Sequence, residues 1–166
     1  MVVFISGGLK SGKSNRALKL AREWQESVSF IATAEALDDE MRGRIERHKA
    51  ERAGLGFTTI EEPLDLAAAL VRSGEYVLVD CLTMWVNNIM YYRREADFTG
   101  MLDAFIEGLR GKSGAIVVSN ETGFGNIPAD ELTRRYNLLL AEANRKTAAL
   151  ASRVELMVAG LPLTVK

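Results

Sequence analysis

The residues Gly7-Gly8-Leu9-Lys10-Ser11-Gly12-Lys13-Ser14 fit the pattern G-x-x-x-x-G-K-[ST] and follow the apolar run Val2-Val3-Phe4-Ile5. That spacing suits anion binding. Glycines at both ends let the backbone wrap close to a phosphate, so successive N–H groups can point inward at its oxygens. A helix starting near Lys13 adds its positive dipole end. Lys13 then reaches the β- and γ-phosphates of a nucleoside triphosphate, and the Ser14 hydroxyl holds Mg²⁺. Asp80 is the second candidate, because it ends the apolar run Tyr76-Val77-Leu78-Val79. An acid in that position is the expected companion of a phosphate loop, a Walker B strand whose carboxylate orients Mg²⁺ through water. Alone, Asp80 would also suit a helix cap, since Leu82, Trp85, Val86 and Ile89 follow at helical spacing. The loop upstream favours the metal reading.

A third group surrounds the only histidine. On a helix, Arg44, His48 and Arg52 are spaced i, i+4, i+8 and share one face. Two guanidiniums disfavour protonation of an imidazole between them and keep it nucleophilic near neutral pH. The same pair can hold a triphosphate. The arrangement suits attack on an α-phosphate with pyrophosphate leaving. It equally suits a solvated basic face, with Glu46, Lys49 and Glu51 interspersed. From these residues alone the solvated face is the better-supported reading.

Alternating elements must position these groups. Ala17, Leu18, Leu20, Ala21 and Trp24 predict a helix over roughly 13–26. Val28-Ser29-Phe30-Ile31-Ala32 reads as a strand. Asp38 can cap a helix that carries Met41, Ile45 and His48 and ends near Ala53-Gly54, with Asp39 and Glu40 favourable to its dipole. Phe57-Thr58-Thr59-Ile60 predicts a short strand. Pro63 suits the first turn of the next helix, whose buried side is Leu64, Leu66, Ala67, Leu70 and Val71. After the Asp80 strand and its helix, Tyr91 to Asp97 reads as exposed. A helix over about 99–110 follows, carrying Met101, Leu102, Phe105, Ile106 and Leu109. Ala115-Ile116-Val117-Val118 is another buried strand, and the loop Thr122 to Pro128 has two glycines around Phe124. A helix over roughly 129–151, the strand Val154 to Val158 and a short strand after Gly160-Leu161-Pro162 complete the chain. Strands alternating with helices imply an α/β fold whose mainly parallel sheet is covered on both faces, with right-handed crossovers.

Composition narrows the class. The 166 residues suit one domain spanning 1–166. Hydrophobic residues make up 48% and charged residues 26%, ordinary for a globular enzyme. A net charge of −1 argues against a nucleic-acid-coating protein. One cysteine, Cys81, and one histidine exclude an internal disulfide and a Cys/His zinc cluster. No apolar run is long enough to span a membrane, and the N-terminal strand has no leader character, so a cytoplasmic enzyme is expected.

A phosphate loop does not by itself choose a chemistry. No guanine-reading Asn-Lys-x-Asp segment occurs, and Asp97-Phe98-Thr99-Gly100 lacks a buried strand before it, which argues against a switch GTPase. A small-molecule kinase leads, with Arg93, Arg94, Arg134 and Arg135 as candidate phosphate clamps. A nucleotide-binding regulatory module without transferase activity is the competing class. Trp85, Ile89, Met90, Tyr91 and Tyr92 are more apolar surface than one helix face needs, so packing on a second subunit competes with simple core packing.

Several stretches together carry a closer likeness. They are the phosphate loop, Ile31-Ala32-Thr33-Ala34, Asp38-Asp39-Glu40-Met41 with Arg44-Ile45 and His48-Lys49, and Asp80-Cys81-Leu82-Thr83 with Trp85 and Asn87-Asn88. Ser119-Asn120-Glu121 with Gly123, Gly125 and Pro128 adds a last one. Over nearly its full length the chain resembles the bifunctional adenosylcobinamide kinase/adenosylcobinamide-phosphate guanylyltransferase family of cobalamin assembly. The resemblance implies a RecA-like P-loop NTPase fold, a three-layer sandwich, often as a homotrimer. It implies phosphorylation of adenosylcobinamide, then GMP transfer from GTP to adenosylcobinamide phosphate through a guanylylated histidine, here His48. GTP and ATP are the implied nucleotides, with Mg²⁺. Implied nucleotide contacts are Gly7, Gly8, Leu9, Lys10, Ser11, Gly12, Lys13 and Ser14, then Thr33, Ala34 and Glu35, then Lys49, Ala50, Glu51 and Arg52. Asp80 and Glu61 match acidic positions near the nucleotide, with Glu62 the alternative to Glu61. Lys10 stands where arginine is usual, which keeps charge and loses bidentate geometry.

Overall fold

Val2–Gly7 (β1) and Gly114–Val118 (β5) are buried at every residue, which is what near-continuous apolar runs require when both faces of a sheet are covered. In the computed structural model, residues 1–166 are described, except for the side chains of Arg44 and Glu51. The other strands are β2 (Val28–Ala32), β3 (Thr58–Glu61), β4 (Tyr76–Asp80), β6 (Arg153–Val158) and β7 (Leu161–Thr164). The seven strands lie in the order β3-β2-β4-β5-β1-β6-β7. Every pairing is parallel except β6 with β7.

Helix α1 (Lys13–Glu23) covers one face of the sheet, where Ala17 and Leu20 pack with Val3, Ile5, Phe30 and Ile116. The opposite face carries α3 (Leu66–Arg72), α4 (Leu82–Tyr91), α5 (Phe98–Arg110) and α6 (Glu131–Leu150). Its core joins Phe4 and Val79 to Trp85, Phe98, Phe105 and Leu140. The Trp85 ring lies 5.7 Å from Phe98 and 6.2 Å from Phe105. The result is the expected α/β sandwich of three layers. Helix α2 (Asp39–Arg52) stands apart from both layers, and Arg52 is the one buried side chain among its described residues. Among the described residues, no helix is long and apolar enough to cross a membrane.

Several boundaries differ from the periodicity. Helix α1 ends at Glu23, because the Trp24 and Gln25 amides close on Ala21 and Arg22 and Gln25 takes a positive φ. The third strand lies one residue later than expected, at Thr58–Glu61. Helix α3 starts after Pro63: Asp65 caps it, its Oδ1 accepting from the Ala68 amide at 2.9 Å. Val71, expected on the buried side of that helix, is 86% exposed, because Leu66, Ala69 and Leu70 fill the inward stripe. Trp85 and Ile89 are fully enclosed and belong to the core, so the surplus apolar surface reduces to the exposed Tyr91 and Tyr92 rings, stacked edge to face.

Candidate active site

The phosphate loop leaves β1 through a backbone turn that only glycine allows. Gly7 has φ +149°, and a Cβ there would lie 2.6 Å from the Met157 carbonyl oxygen on β6. Gly12, at φ +92°, forms the N-cap of α1 with no side-chain cap, so the first amides of that helix remain directed outward. Between them the Ser11 amide returns to Gly8 O, and the Gly160 amide donates to Ser11 O from the β6–β7 turn. Lys13 is buried inside the loop, where its Nζ donates to Gly8 O at 2.6 Å and lies 3.5 Å from Ser11 Oγ.

One ion pair anchors this loop to the sheet. Arg16, in the first turns of α1, donates from Nε and Nη2 to the two carboxylate oxygens of Glu155, each at 2.8 Å. The Glu155 side chain is fully enclosed, and Arg153 adds a further contact to it. The hydrogen bond from Arg16, opposed by burial, holds the Glu155 carboxyl below the ordinary carboxylate range.

Beside the loop a pocket opens between α2 and the C-terminal ends of β2 and β4. Ser14, Asp80, Cys81 and Met84 line it from the sheet and its helices, with Phe30, Ala32 and Ala34 at β2 and Glu61 at the end of β3. From α2 come Met41, Ile45, His48, Lys49 and Arg52. Asp38 starts α2 by accepting from the Met41 amide at 2.7 Å, and Asp39 and Glu40 occupy its first turn. The steps of four, three and four from Met41 to Ile45, His48 and Arg52 keep one helix face on the pocket. Arg52 stacks its guanidinium over the Phe30 ring, 3.9 Å from the centroid. Lys49 Nζ lies 3.0 Å from Glu61 and 3.7 Å from Glu46. The bond to Glu61 holds the Lys49 ammonium above the ordinary lysine range.

Of the residues expected in the site, Ser14, Ala34, His48, Lys49, Arg52, Glu61 and Asp80 come together in this one pocket. Gly7 to Lys13 form the adjoining loop. Glu61, and not Glu62, is the pocket acid: Glu62 accepts from the Leu64 and Asp65 amides and pairs with Arg72. Thr33 is fully buried with its hydroxyl committed to the Cys81 backbone, accepting from the amide and donating to the carbonyl, each at 2.8 Å. It ties β2 to β4 and does not line the pocket. Glu35 accepts from the Tyr92 hydroxyl at 3.2 Å, outside the lining, and Ala50 is exposed on the outer side of α2. Arg44 and Glu51 lie outside the described side chains. The candidate clamps are occupied elsewhere: Arg94 with Asp97, Arg135 with Glu95, and Arg134 with the Pro128 and Ala129 carbonyls; Arg93, exposed at a positive φ, lies outside the lining.

The sequence reading missed the apolar wall of Phe30, Met41, Ile45 and Met84. Met41 and Ile45 share helical spacing with His48, and that signal was available. Nothing local pointed to Phe30 or Met84. The Ser14 hydroxyl and Asp80 carboxylate are hard oxygen donors on one pocket and fit Mg²⁺. Among the described residues no three His, Cys, Asp or Glu side chains converge, so these donors suit an ion that takes its other ligands from phosphate and water.

Comparison with known proteins adds to this geometry. A family model described as cobinamide kinase / cobinamide phosphate guanyltransferase matches residues 3–165. The bifunctional adenosylcobalamin biosynthesis protein CobP of Pseudomonas aeruginosa is 43% identical over 166 residues, covering 98% of this chain and 95% of that protein. The bifunctional adenosylcobalamin biosynthesis protein CobU of Escherichia coli is 33% identical over 183 residues, covering all of both chains. Among solved structures, the flagellar accessory protein FlaH of Methanocaldococcus jannaschii superimposes with a TM-score of 0.55 at 13% identity, covering 99% of this chain and 77% of that one. At that identity the likeness concerns the fold, which is RecA-like, of the P-loop NTPase type.

Proposed function

The chain belongs to the cobinamide kinase / cobinamide phosphate guanyltransferase family, and from that premise we propose that it phosphorylates adenosylcobinamide and then transfers GMP from GTP to adenosylcobinamide phosphate through His48. It is a bifunctional enzyme, a kinase and a guanylyltransferase, of adenosylcobalamin biosynthesis. The observation that carries the reading is that the sole imidazole shares a pocket with Ser14 of the phosphate loop and with Asp80.

In the kinase step the loop amides and Lys13 hold the triphosphate of ATP or GTP. The acceptor hydroxyl attacks the γ-phosphorus, and the bond to the bridging oxygen breaks to leave the nucleoside diphosphate. Phosphoryl transfer depends chiefly on positioning and charge stabilisation, which a rigid loop supplies. Bound at Ser14 and, through water, at Asp80, Mg²⁺ would neutralise charge on the phosphate oxygens. In the second reaction an imidazole nitrogen of His48 attacks the α-phosphorus of GTP, a P–N bond forms, and pyrophosphate leaves. A phosphate oxygen of adenosylcobinamide phosphate then attacks the same phosphorus and releases His48, giving adenosylcobinamide-GDP. Arg52 and Lys49 flank the histidine with positive charge suited to the triphosphate, and the Phe30, Met41, Ile45 and Met84 wall suits the flat face of a nucleobase. The reading includes a cytoplasmic location and self-association as a trimer, for which the exposed Tyr91 and Tyr92 rings are the candidate contact.

His48→Asn tests it. The variant is expected to lose the acid-labile, base-stable GMP adduct formed from radiolabelled GTP, and with it guanylyl transfer, while still phosphorylating adenosylcobinamide with ATP. Wild-type adenosylcobinamide-GDP formation by His48→Asn would refute the histidine route. A wild-type chain that binds nucleotide yet forms neither adduct nor phosphorylated product would be a regulatory module instead.

A further inference from the structure

Helix α4 encloses Trp85, Val86 and Ile89 completely, and among these apolar side chains it encloses an amide, Asn88, just as fully. Its Nδ2 donates to two carbonyls of the loops that leave the sheet. One is Thr33 O, just past β2, at 2.7 Å, and the other is Pro63 O, just past β3, at 3.1 Å. Only the NH₂ end of a carboxamide can face two carbonyls, so these partners fix its orientation. Its Oδ1 accepts nothing from the described residues. That leaves part of the cost of burying the amide uncompensated within the chain, a cost an apolar side chain would not carry. What the amide adds is a fixed spacing between two loops. Trp85 Nε1 and the Tyr92 hydroxyl reach one loop each, at Leu64 O (2.7 Å) and Glu35 (3.2 Å). Among the described residues of α4, Asn88 is the one side chain that bonds both.

Those two loops carry the nucleotide side of the pocket. Thr33 leads into Ala34, and Pro63 stands two residues beyond Glu61; Ala34 and Glu61 both line the pocket. The same loops set α2. The chain enters that helix from Thr33 through Leu37, whose amide closes on Glu35 O, and Asp38 caps it. Toward its other end, Lys49 meets Glu61 at 3.0 Å and Arg52 stacks on Phe30 of β2. Because α2 lies outside both packed layers, its place is set by these junctions with β2 and β3. One carboxamide thus joins the core helix α4 to the entry of α2 and to the loop beside the acid that holds Lys49, the neighbour of His48.

We propose that Asn88 is a positioning residue for the histidine chemistry, holding the β2 and β3 exits at the spacing that sets His48 against the α-phosphate of a nucleotide bound on the phosphate loop. The inference rests on the His48 route proposed above. Asn88 touches no substrate and takes no part in bond making. A displacement of about 1 Å in a reacting group costs on the order of 10²-fold in rate, so loosening this tie acts on adduct formation. The kinase step draws on Lys13 and Ser14 of α1 and on Asp80 of β4, which do not depend on α2.

The test compares full-length wild type, Asn88→Ala and a stability control, Leu102→Ala, which opens a cavity in the core at α5. In Asn88→Ala, GMP-adduct formation at saturating GTP falls on the order of 10²-fold, while kcat for adenosylcobinamide phosphorylation at saturating ATP stays near wild type. Leu102→Ala loses at least as much in Tm and keeps both rates. Asn88→Ser, which retains one donor and leaves a smaller cavity than alanine, falls between wild type and Asn88→Ala. It carries the comparison if Asn88→Ala does not fold. A second readout needs no group transfer. His48 is the only histidine, so its imidazole resonance is unambiguous in NMR spectra. In wild type that resonance shifts when Mg²⁺ and α,β-methylene-GTP bind, an analogue that cannot release pyrophosphate. In Asn88→Ala the shift is lost although the analogue still binds. Wild-type adduct formation in the Asn88 variants overturns the proposal. So does equal loss of adduct and kinase rates, or the same selective loss in Leu102→Ala, the patterns of a general packing defect. If wild type shows the Asn88-dependent shift yet forms no adduct, the histidine route fails and the placement of His48 by Asn88 stands. An imidazole that ignores the analogue in wild type overturns both.

Discussion

Arg16→Met leaves the enclosed Glu155 carboxylate in place and removes its main counterion. Both oxygens of Glu155 lose a 2.8 Å charge-assisted bond. Arg153 still reaches one of them, but from a side chain that is 42% exposed and therefore partly screened. Charge-assisted bonds contribute about 1.5–3 kcal/mol each, and removing one partner of a buried pair costs about 3–5 kcal/mol. With Arg153 retaining part of the compensation, the expected loss is about 3 kcal/mol, or roughly 6–12 °C in Tm for a chain of this size. Urea denaturation at neutral pH followed by circular dichroism measures it. The double variant Arg16→Met/Glu155→Leu should recover most of the loss, because it buries no unpaired charge. The pH dependence has a definite sign. The folded carboxyl lies below its unfolded value, so its stabilisation is complete above the ordinary glutamate range of about 4.3 and fades as pH falls through the lower folded value. In Arg16→Met the folded carboxyl loses the partner that chiefly lowers it, so this pH-dependent stabilisation shrinks and the gap between variant and wild type narrows as pH falls below that range. Because β6 also backs Gly7 through Met157, nucleotide affinity should fall together with stability. An Arg16→Met protein within about 0.5 kcal/mol of wild type would refute the assignment of this pair as the anchor of the loop.

Lys13→Ala should weaken ATP and GTP binding in calorimetry and suppress both activities, whereas Ser14→Ala should chiefly lower the Mg²⁺-dependent rates; wild-type nucleotide affinity in Lys13→Ala would remove the loop from the site. Gly7→Ala places a Cβ 2.6 Å from the Met157 carbonyl at a φ that L-residues avoid, so thermal melts should show destabilisation of about 1–3 kcal/mol and nucleotide binding should drop. A Gly7→Ala protein with unchanged Tm and affinity would mean that the loop can turn another way.

Some features of this protein are determined by short-range order and were legible in the residues. A strand, a glycine loop and a helix in direct succession need no partner to be recognised, and the same holds for the Asp38 cap and the Asp80 strand. The choice between Glu61 and Glu62 was not, because neighbouring residues at a strand end diverge and only the placement of Arg72 and Lys49 decides which one turns to the pocket. Nor does anything near Thr33 announce that its hydroxyl binds the backbone of Cys81, 48 residues on. Helix α2 is legible as a helix. That its Met41 and Ile45 face joins Phe30 and Met84 in one wall depends on where tertiary packing sets it. The strand order goes furthest beyond the sequence. Alternation predicts a parallel sheet, yet only the folded chain inserts β5 between β1 and β4. Arg16 and Glu155, 139 residues apart, meet for the same reason. Local propensity specifies elements, while burial of their apolar faces against one another selects which distant polar groups become neighbours.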